Sequence, residues 1–432
     1  MKITLIYPPH PYLIKPNSQA PLGLLYLASV LRDANHEVEV YNLSGFTVEE
    51  ALRSIPMDAD IYGFTATSVD YDLCERMAGK LSKMNDKAKL IIGGPHPTVA
   101  SETINLSVFH SYCIGEGERA ILEIVRDTQE GRLQPFYKKE RITNLDELPL
   151  PARDLMNYIG GDIFAYDRNY TGNNLSTTIM TSRGCPFNCS YCASKPMWRG
   201  RVSLRSVESI LEEIRIVQSS FGVNQFRFCD DTLNMDTKRL HKLCHGLSKL
   251  NVFWRCSVRA GLSTYDDFKL MYDSGCREIS PGIESGDQRV LDFLNKNTTV
   301  EDNRNLINWA TNAGINVRVL LMTGTPGEYR DTPERTRDFL NSIEFNMVSL
   351  TQFRPMPGSP IWEAPEKFNC TIINKDLKNY NFYTWRRGKD GRRERSPIES
   401  VIETDRLSKE QMEDNMRRMF QYAEDTGKFN KG

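Results

Sequence analysis

The chain lacks most of the features that would send it out of the cell, into a membrane or onto a nucleic acid. No apolar run approaches the roughly 20 residues needed to span a bilayer. The start, Met1-Lys2-Ile3-Thr4-Leu5-Ile6-Tyr7-Pro8-Pro9, is too short and too quickly broken by proline to read as a signal peptide. Charge of one sign is missing: 55 Lys and Arg against 56 Asp and Glu leave a formal net charge of −1, so nothing global points to nucleic acid or an anionic surface. No internal repeat or low-complexity stretch is present. Ten cysteines over 432 residues do not form a secreted disulfide pattern. Cys74, Cys113, Cys229, Cys244, Cys256, Cys276 and Cys370 read as reduced, mostly buried small hydrophobes, which predicts a cytoplasmic protein. The length suits two or three domains.

Three cysteines stand apart from these. Arg183-Gly184-Cys185-Pro186-Phe187-Asn188-Cys189-Ser190-Tyr191-Cys192 is a C-x3-C-x2-C run with an aromatic before its last cysteine. Three thiolates on one loop can ligate three irons of a [4Fe–4S] cube and leave the fourth open for chemistry. A structural zinc site, the bland alternative, wants four ligands in separated pairs, and no fourth Cys or His lies nearby.

Before that run, residues 1–135 alternate apolar strand patterns with helical ones. Lys2–Tyr7, Glu37–Tyr41, Ile61–Thr65 and Leu90–Ile92 read as strands. Leu22–Ala34 and about Asp70–Met84 read as helices. The alternation predicts a doubly wound parallel sheet, which binds ligands beyond the carboxyl ends of its strands. Gly93-Gly94-Pro95-His96-Pro97-Thr98 follows the fourth strand, and Gly115-Glu116-Gly117-Glu118 opens the next helix. Two glycines there allow close backbone approach to a bulky ligand.

Residues 136–175 read as a linker. Its proline-punctuated strap spans Ile142 to Leu155, and the polar segment 156–175, with Gly160, Gly161 and Gly172, either covers a site or connects loosely. From 176 to 362 the pattern is strand, helix, strand. Thr177–Ser182, Gln225–Cys229, Val252–Ser257, Glu278–Ile283, Asn316–Met322 and Val348–Phe353 make six strand units, enough for a partial (β/α)6 barrel with its working residues at the strands' carboxyl ends. Residues 363–432 form a charged C-terminal extension, expected to be mostly helical, with a closing helix over Ser408–Ala423. Its basic run Arg386–Arg395, preceded by Tyr380, Phe382, Tyr383 and Trp385, fits a solvated loop beside a hydrophobic anchor better than a nucleic-acid contact.

The cysteine loop and the ordered strand-end signatures resemble the radical S-adenosylmethionine (SAM) enzymes. Pro21 to Ala28, the Gly93–Thr98 loop and the Gly115–Glu118 turn resemble the Rossmann-like cobalamin-binding domain that precedes many radical SAM barrels. The resemblance implies that Cys185, Cys189 and Cys192 hold the cluster and that SAM chelates its open iron. It places Asp230 and Asp231 at the SAM amino group, Arg259 at its carboxylate or a phosphate, Glu284 and Ser285 at the ribose, and the Gly324–Glu328 turn at the adenine. Asp231 before Thr232 also reads as a helix cap. Arg205 stands where the cobalamin branch usually has an arginine.

Cobalamin is expected against Gly23, Leu24, Gly93, Gly94, Gly115 and Glu116. None of the six histidines sits in the Asp-x-His-x-x-Gly pattern that ligates cobalt elsewhere. His10 and His96 lie on strand-end loops where either can contact the corrin, against a packing or solvent-facing alternative. The resemblance implies reductive cleavage of SAM to a 5′-deoxyadenosyl radical and methylation of an unactivated carbon through methylcobalamin. A small-molecule or biosynthetic-intermediate substrate and a reductant such as flavodoxin or ferredoxin are expected with it. Radical cyclisation or rearrangement, a barrel with a scaffold-only first domain, and a non-catalytic sensor are the other readings.

Overall fold

The computed structural model describes residues 1–10, 12–13, 19–158, 175–382, 384–388 and 392–429. Gly160, Gly161, Gly172, Tyr383 and residues 389–391 of the basic run lie outside the described residues.

The first sheet is built from β1 (Lys2–Tyr7), β2 (Glu37–Asn42), β3 (Ile61–Thr65), β4 (Lys89–Gly93), β5 (Ser111–Ile114) and β6 (Phe136–Lys138), in the order β2-β1-β3-β4-β5-β6 with every pair parallel. Period-two alternation sorts its side chains. Ile3, Leu5, Ile61, Ile91 and Cys113 pack on α1 (Leu22–Asp33) and on α5 (Glu118–Gln129). Ile6, Tyr62, Phe64, Leu90 and Ile92 pack on the other face, against α2 (Val48–Ser54) and α3 (Tyr71–Met84). The short α4 (Pro95–Val99) follows β4 directly. Strands β5 and β6 were not expected from the sequence, being only four and three residues long. The chain order reverses between β2-β1 and β3, which opens a crevice at the carboxyl ends of these strands.

The second sheet starts with β7 (Ser176–Ile179). The short antiparallel pair β8 (Ser182–Arg183) and β9 (Ser203–Leu204) then brackets the cysteine loop. β10 (Gln225–Phe228), β11 (Phe253–Val258), β12 (Cys276–Glu284), β13 (Asn316–Thr323) and β14 (Met347–Gln352) follow β7 in spatial order, all parallel. This is the expected six-stranded open barrel. Its crossover helices start with side-chain caps, as at Ser206, Asp236 and the Thr299–Asp302 capping box. The α1/α5 face of the first sheet, the strap residues Ala152, Leu155 and Met156, and the helix-facing side of the barrel share one apolar cluster.

The strap is pinned by a buried ionic knot. Arg153 donates to Glu213 and to Thr177 and Thr178, and Arg205 donates to the other Glu213 oxygen and to the Met180 carbonyl. Arg205, 3% exposed, is held in this knot.

The extension departs from expectation. One helix, Lys409–Asp425, closes it with the Ser408 capping box. The rest holds two antiparallel strand pairs, Cys370–Ile372 with Ile402–Thr404 and Trp385–Arg387 with Arg393–Arg395. Tyr380 is buried in a third apolar cluster with Phe353, Ile361 and Met412, and Tyr12 of the first domain packs against it. No helix among the described residues is long and apolar enough to cross a membrane.

Candidate active site

The cysteine loop leaves β8 through Gly184, whose φ of +93° suits only glycine. A Cβ there would lie 2.3 Å from the Arg201 carbonyl oxygen. The loop is tied to the barrel by backbone bonds: Ser190 N donates to Leu294 O and Ile361 N donates to Ser190 O. Cys185, Cys189 and Cys192 are all free and half-buried. Cys185 Sγ lies 3.6 Å from Thr232 Oγ1, and Cys192 Sγ accepts from Ser194 N at 3.4 Å. Burial pushes the Cys192 thiol up to about 11. Among the described residues no three His, Cys, Asp or Glu side chains close on a point that one metal ion would fill. Three thiols spread along a loop instead suit a cube, where each binds a different iron.

Arg259 stands over this loop from the end of β11. Its guanidinium lies 3.8 Å from the Phe187 ring centroid, and Nη1 is 3.6 Å from Cys189 Sγ. Its Nη2 is buried without a partner. A buried guanidinium nitrogen with no acceptor calls for an anion, which the SAM carboxylate would supply.

Glu284 ends β12 at a φ of +65°, a conformation non-glycine residues hold only when their surroundings over-determine it. Here Oε1 accepts from Tyr191 Oη at 2.9 Å and Lys296 Nζ at 3.0 Å. The network joins β12 to the loop between its second and third cysteines. Asp231 is exposed at the same rim and accepts from Ser194 Oγ. It is not the helix cap; Asp236 caps the next helix.

Three of the residues expected at SAM already have partners within the fold. Asp230 is buried and accepts from Thr181 N, Thr181 Oγ1 and Ser182 Oγ, so it braces the turn between β7 and β8. Burial pushes its carboxyl up. Ser285 is buried, accepting from Asp287 N and facing Thr336 Oγ1, so its hydroxyl serves the next turn. The Gly324 and Thr325 amides donate to Glu328 Oε1, and a Cβ on Gly324 would meet Met416 Cε at 2.0 Å. The closing helix covers this turn at Gly324, and the Gly324 and Thr325 amides are already bonded within it.

A cavity of about 250 Å³ lies at the carboxyl edge of the first sheet. Gly23, Leu24, Gly93, Gly94, Gly115 and Glu116 all line it. Its wall continues between sheet and helices along Leu5, Leu27, Ile121 and Ile124, and the barrel supplies the rest with Met180, Arg183, Met197 and Trp198. Gly23 is exposed at the rim, and a Cβ built on it meets nothing within 4 Å.

Neither expected histidine lines this cavity. His96 is buried, with Nδ1 3.1 Å from Ser68 Oγ, Nε2 2.9 Å from Thr103 Oγ1 and its ring stacked on Tyr71. Both ring nitrogens are thereby committed to packing contacts. His10 Nδ1 accepts from the Tyr12 and Leu13 amides and shapes the loop after β1. Burial holds both imidazoles down at about 4, so they stay neutral.

Arg183, Glu118, Trp198 and Lys296 were missed as site residues. Arg183, directly before the glycine of the cysteine run, and Glu118, at the end of the Gly115–Glu118 turn, carried positional hints.

Comparison with known proteins agrees with this layout. The radical SAM superfamily matches residues 179–340 and the B12 binding domain residues 16–125. An uncharacterized methyltransferase of Pyrococcus horikoshii is 31% identical over 393 residues, covering 84% of this chain and 83% of that protein. The anaerobic magnesium-protoporphyrin IX monomethyl ester cyclase of Rubrivivax gelatinosus is 24% identical, covering 84% and 69%. Among solved structures, the radical SAM methyltransferase TsrM of Kitasatospora setae, with tryptophan and a SAM analogue bound, shares the fold. Its TM-score is 0.69 at 16% identity, covering 99% of this chain and 90% of that one.

Proposed function

The chain belongs to the radical SAM superfamily, in the branch that carries a B12 binding domain ahead of the barrel, and from that premise we propose that it methylates an unactivated carbon of a small-molecule substrate. Together the cluster and SAM supply a carbon-centred radical, and cobalamin supplies the methyl group. Cys185, Cys189 and Cys192 would hold the cluster. Arg259 would fork onto the SAM carboxylate, Asp231 would accept from its amino group, and Glu284, kept in place by Lys296 and Tyr191, would border the ribose. Gly23, Leu24, Gly93, Gly94 and Gly115 would cradle the corrin. Hydrogen abstraction and methyl delivery need the reacting carbons close and water absent. The chain contributes to both by roofing the cavity with Met180, Met197 and Trp198.

The observation that carries this reading is that the same few residues around the cysteine loop, Met180, Arg183, Met197 and Trp198, also close the cavity of the first domain. A first domain kept only as a scaffold would not need a glycine-lined cavity facing the loop. Radical cyclisation is the second reading, favoured by the name of the Rubrivivax relative. A small acidic reductant of the flavodoxin or ferredoxin kind and a cytoplasmic location belong to the proposal.

Anaerobic reconstitution with iron, sulfide and hydroxocobalamin tests it. A cluster band, retained corrin, and 5′-deoxyadenosine together with S-adenosylhomocysteine on adding reductant, SAM and substrate extract are expected. Deoxyadenosine without S-adenosylhomocysteine points to cyclisation. A cluster without corrin overturns the methyl-transfer assignment. Cys189→Ala should abolish the cluster band.

A further inference from the structure

Arg183 touches both halves of the molecule at once. Its backbone ends β8 just before Gly184 and Cys185, so its position moves with the cysteine loop. Its side chain crosses into the first domain, where Nη1 donates to Glu116 Oε1 at 2.6 Å and Nη2 donates to Glu118 Oε1 at 2.5 Å. Only 5% of Arg183 is exposed. The guanidinium lies 5.6 Å from the Tyr26 ring centroid and 6.0 Å from that of Trp198.

Part of this surround is itself tied down. Glu116 Oε2 accepts from Ile142 N, and Arg141 donates to the carbonyls of Arg183 and Trp198. A planar fork held by two carboxylates has little freedom to turn. One nitrogen of the group has no partner: Arg183 Nε is buried without an acceptor, and Arg183 lines the cavity. An N–H left in that state costs free energy until an acceptor arrives.

We propose that Arg183 is a positioning residue that couples the two cofactor sites: its spare Nε–H donates to an amide-type acceptor on the edge of the corrin while its fork holds the cysteine loop at a fixed separation from it. The inference rests on the reading of the cavity as a corrin site and of the loop as a cluster site. Lysine cannot replace the residue. A lysine ammonium is a compact point charge that lacks the planar fork and has no Nε–H.

The test uses the full-length protein loaded with cluster and cobalamin and reduced until both the cluster and cobalt(II) are paramagnetic. Electron paramagnetic resonance then reads the effect of the reduced cluster on cobalt relaxation. At saturating corrin, Arg183→Lys should carry both cofactors at wild-type stoichiometry and lose the single, well-defined coupling of the wild type. Its corrin affinity should weaken about tenfold, the loss of one hydrogen bond from a charged donor. Glu118→Gln, which keeps Nε, should disturb the coupling and leave corrin affinity nearly unchanged. Wild-type coupling in Arg183→Lys overturns the inference while the cofactor assignment stands. Loss of either cofactor from Arg183→Lys at saturation also overturns it, since the residue would then be a folding element. A wild type that binds cluster without corrin overturns the cavity assignment and the inference with it.

Discussion

Gly23→Leu separates the cavity from the fold that carries it. Gly23 is the second residue of α1, in ordinary helical conformation, and a Cβ there meets nothing within 4 Å. Leucine is a better helix former than glycine by about 1 kcal/mol, which sets the upper bound for this first-turn position. The apoprotein should therefore gain up to about 1 kcal/mol, read as a higher urea midpoint for the first domain's transition. The new side chain would stand at the rim of the 250 Å³ cavity that Gly23 lines. Forcing a ligand and an isobutyl group into one space costs about 1–3 kcal/mol, which weakens corrin binding roughly 5- to 150-fold. Titration of the apoprotein with hydroxocobalamin, followed by absorbance, measures it. Stability and affinity must move in opposite directions. Unchanged affinity with raised stability would show that the ligand does not use this face, and a fall in both would show a damaged helix.

Three further outcomes are expected. Glu213→Gln removes the charge that Arg153 and Arg205 share in a buried site and should cost about 3–5 kcal/mol in urea unfolding; a loss below about 1 kcal/mol would refute the knot's importance. Arg259→Lys should keep the cluster spectrum and weaken SAM binding about tenfold to a hundredfold, from loss of a charged, forked contact; unchanged affinity by calorimetry would remove Arg259 from the SAM site. Burial pushes the Asp70 carboxyl up to about 7. The folded chain then holds a proton that the unfolded chain releases near pH 4, so Asp70 makes stability fall as pH rises from about 4 to 7 and stay low above. Asp70→Asn should be the more stable protein at pH 8, by at most about 4 kcal/mol, and should lose that advantage near pH 4. Parallel stability curves for the two proteins would contradict the shift.

What could be read from the chain by itself was whatever is set by near neighbours. Cys185, Cys189 and Cys192 lie on one loop because covalent spacing puts them there. The six barrel strands and the first four strands of the first sheet show as short apolar runs, because a strand covered on one face alternates and a strand covered on both is apolar nearly throughout. Gly23, Gly93, Gly94 and Gly115 marked the cavity because glycine after a parallel strand or at a helix start signals close approach. β5, β6 and the strand pairs of the extension were too short to leave a period, and β6 exposes two of its three residues.

Tertiary structure alone decided which polar groups face the site. Asp230 and Asp231 are adjacent, yet successive side chains in extended chain point to opposite sides, so one braces Thr181 and Ser182 while the other reaches the rim. His96 is absorbed by Ser68 and Thr103, and the Gly324 turn is covered by Met416. Arg183 meets Glu116 and Glu118, residues 67 and 65 positions away. Each of these outcomes depends on a partner brought near by folding, and a buried polar atom takes whichever partner packing provides because leaving it unpaired costs too much. Local sequence specifies the strands, the thiol loop and the cavity's glycines; the assignment of charges to structure or to chemistry arises only when the two sheets pack together.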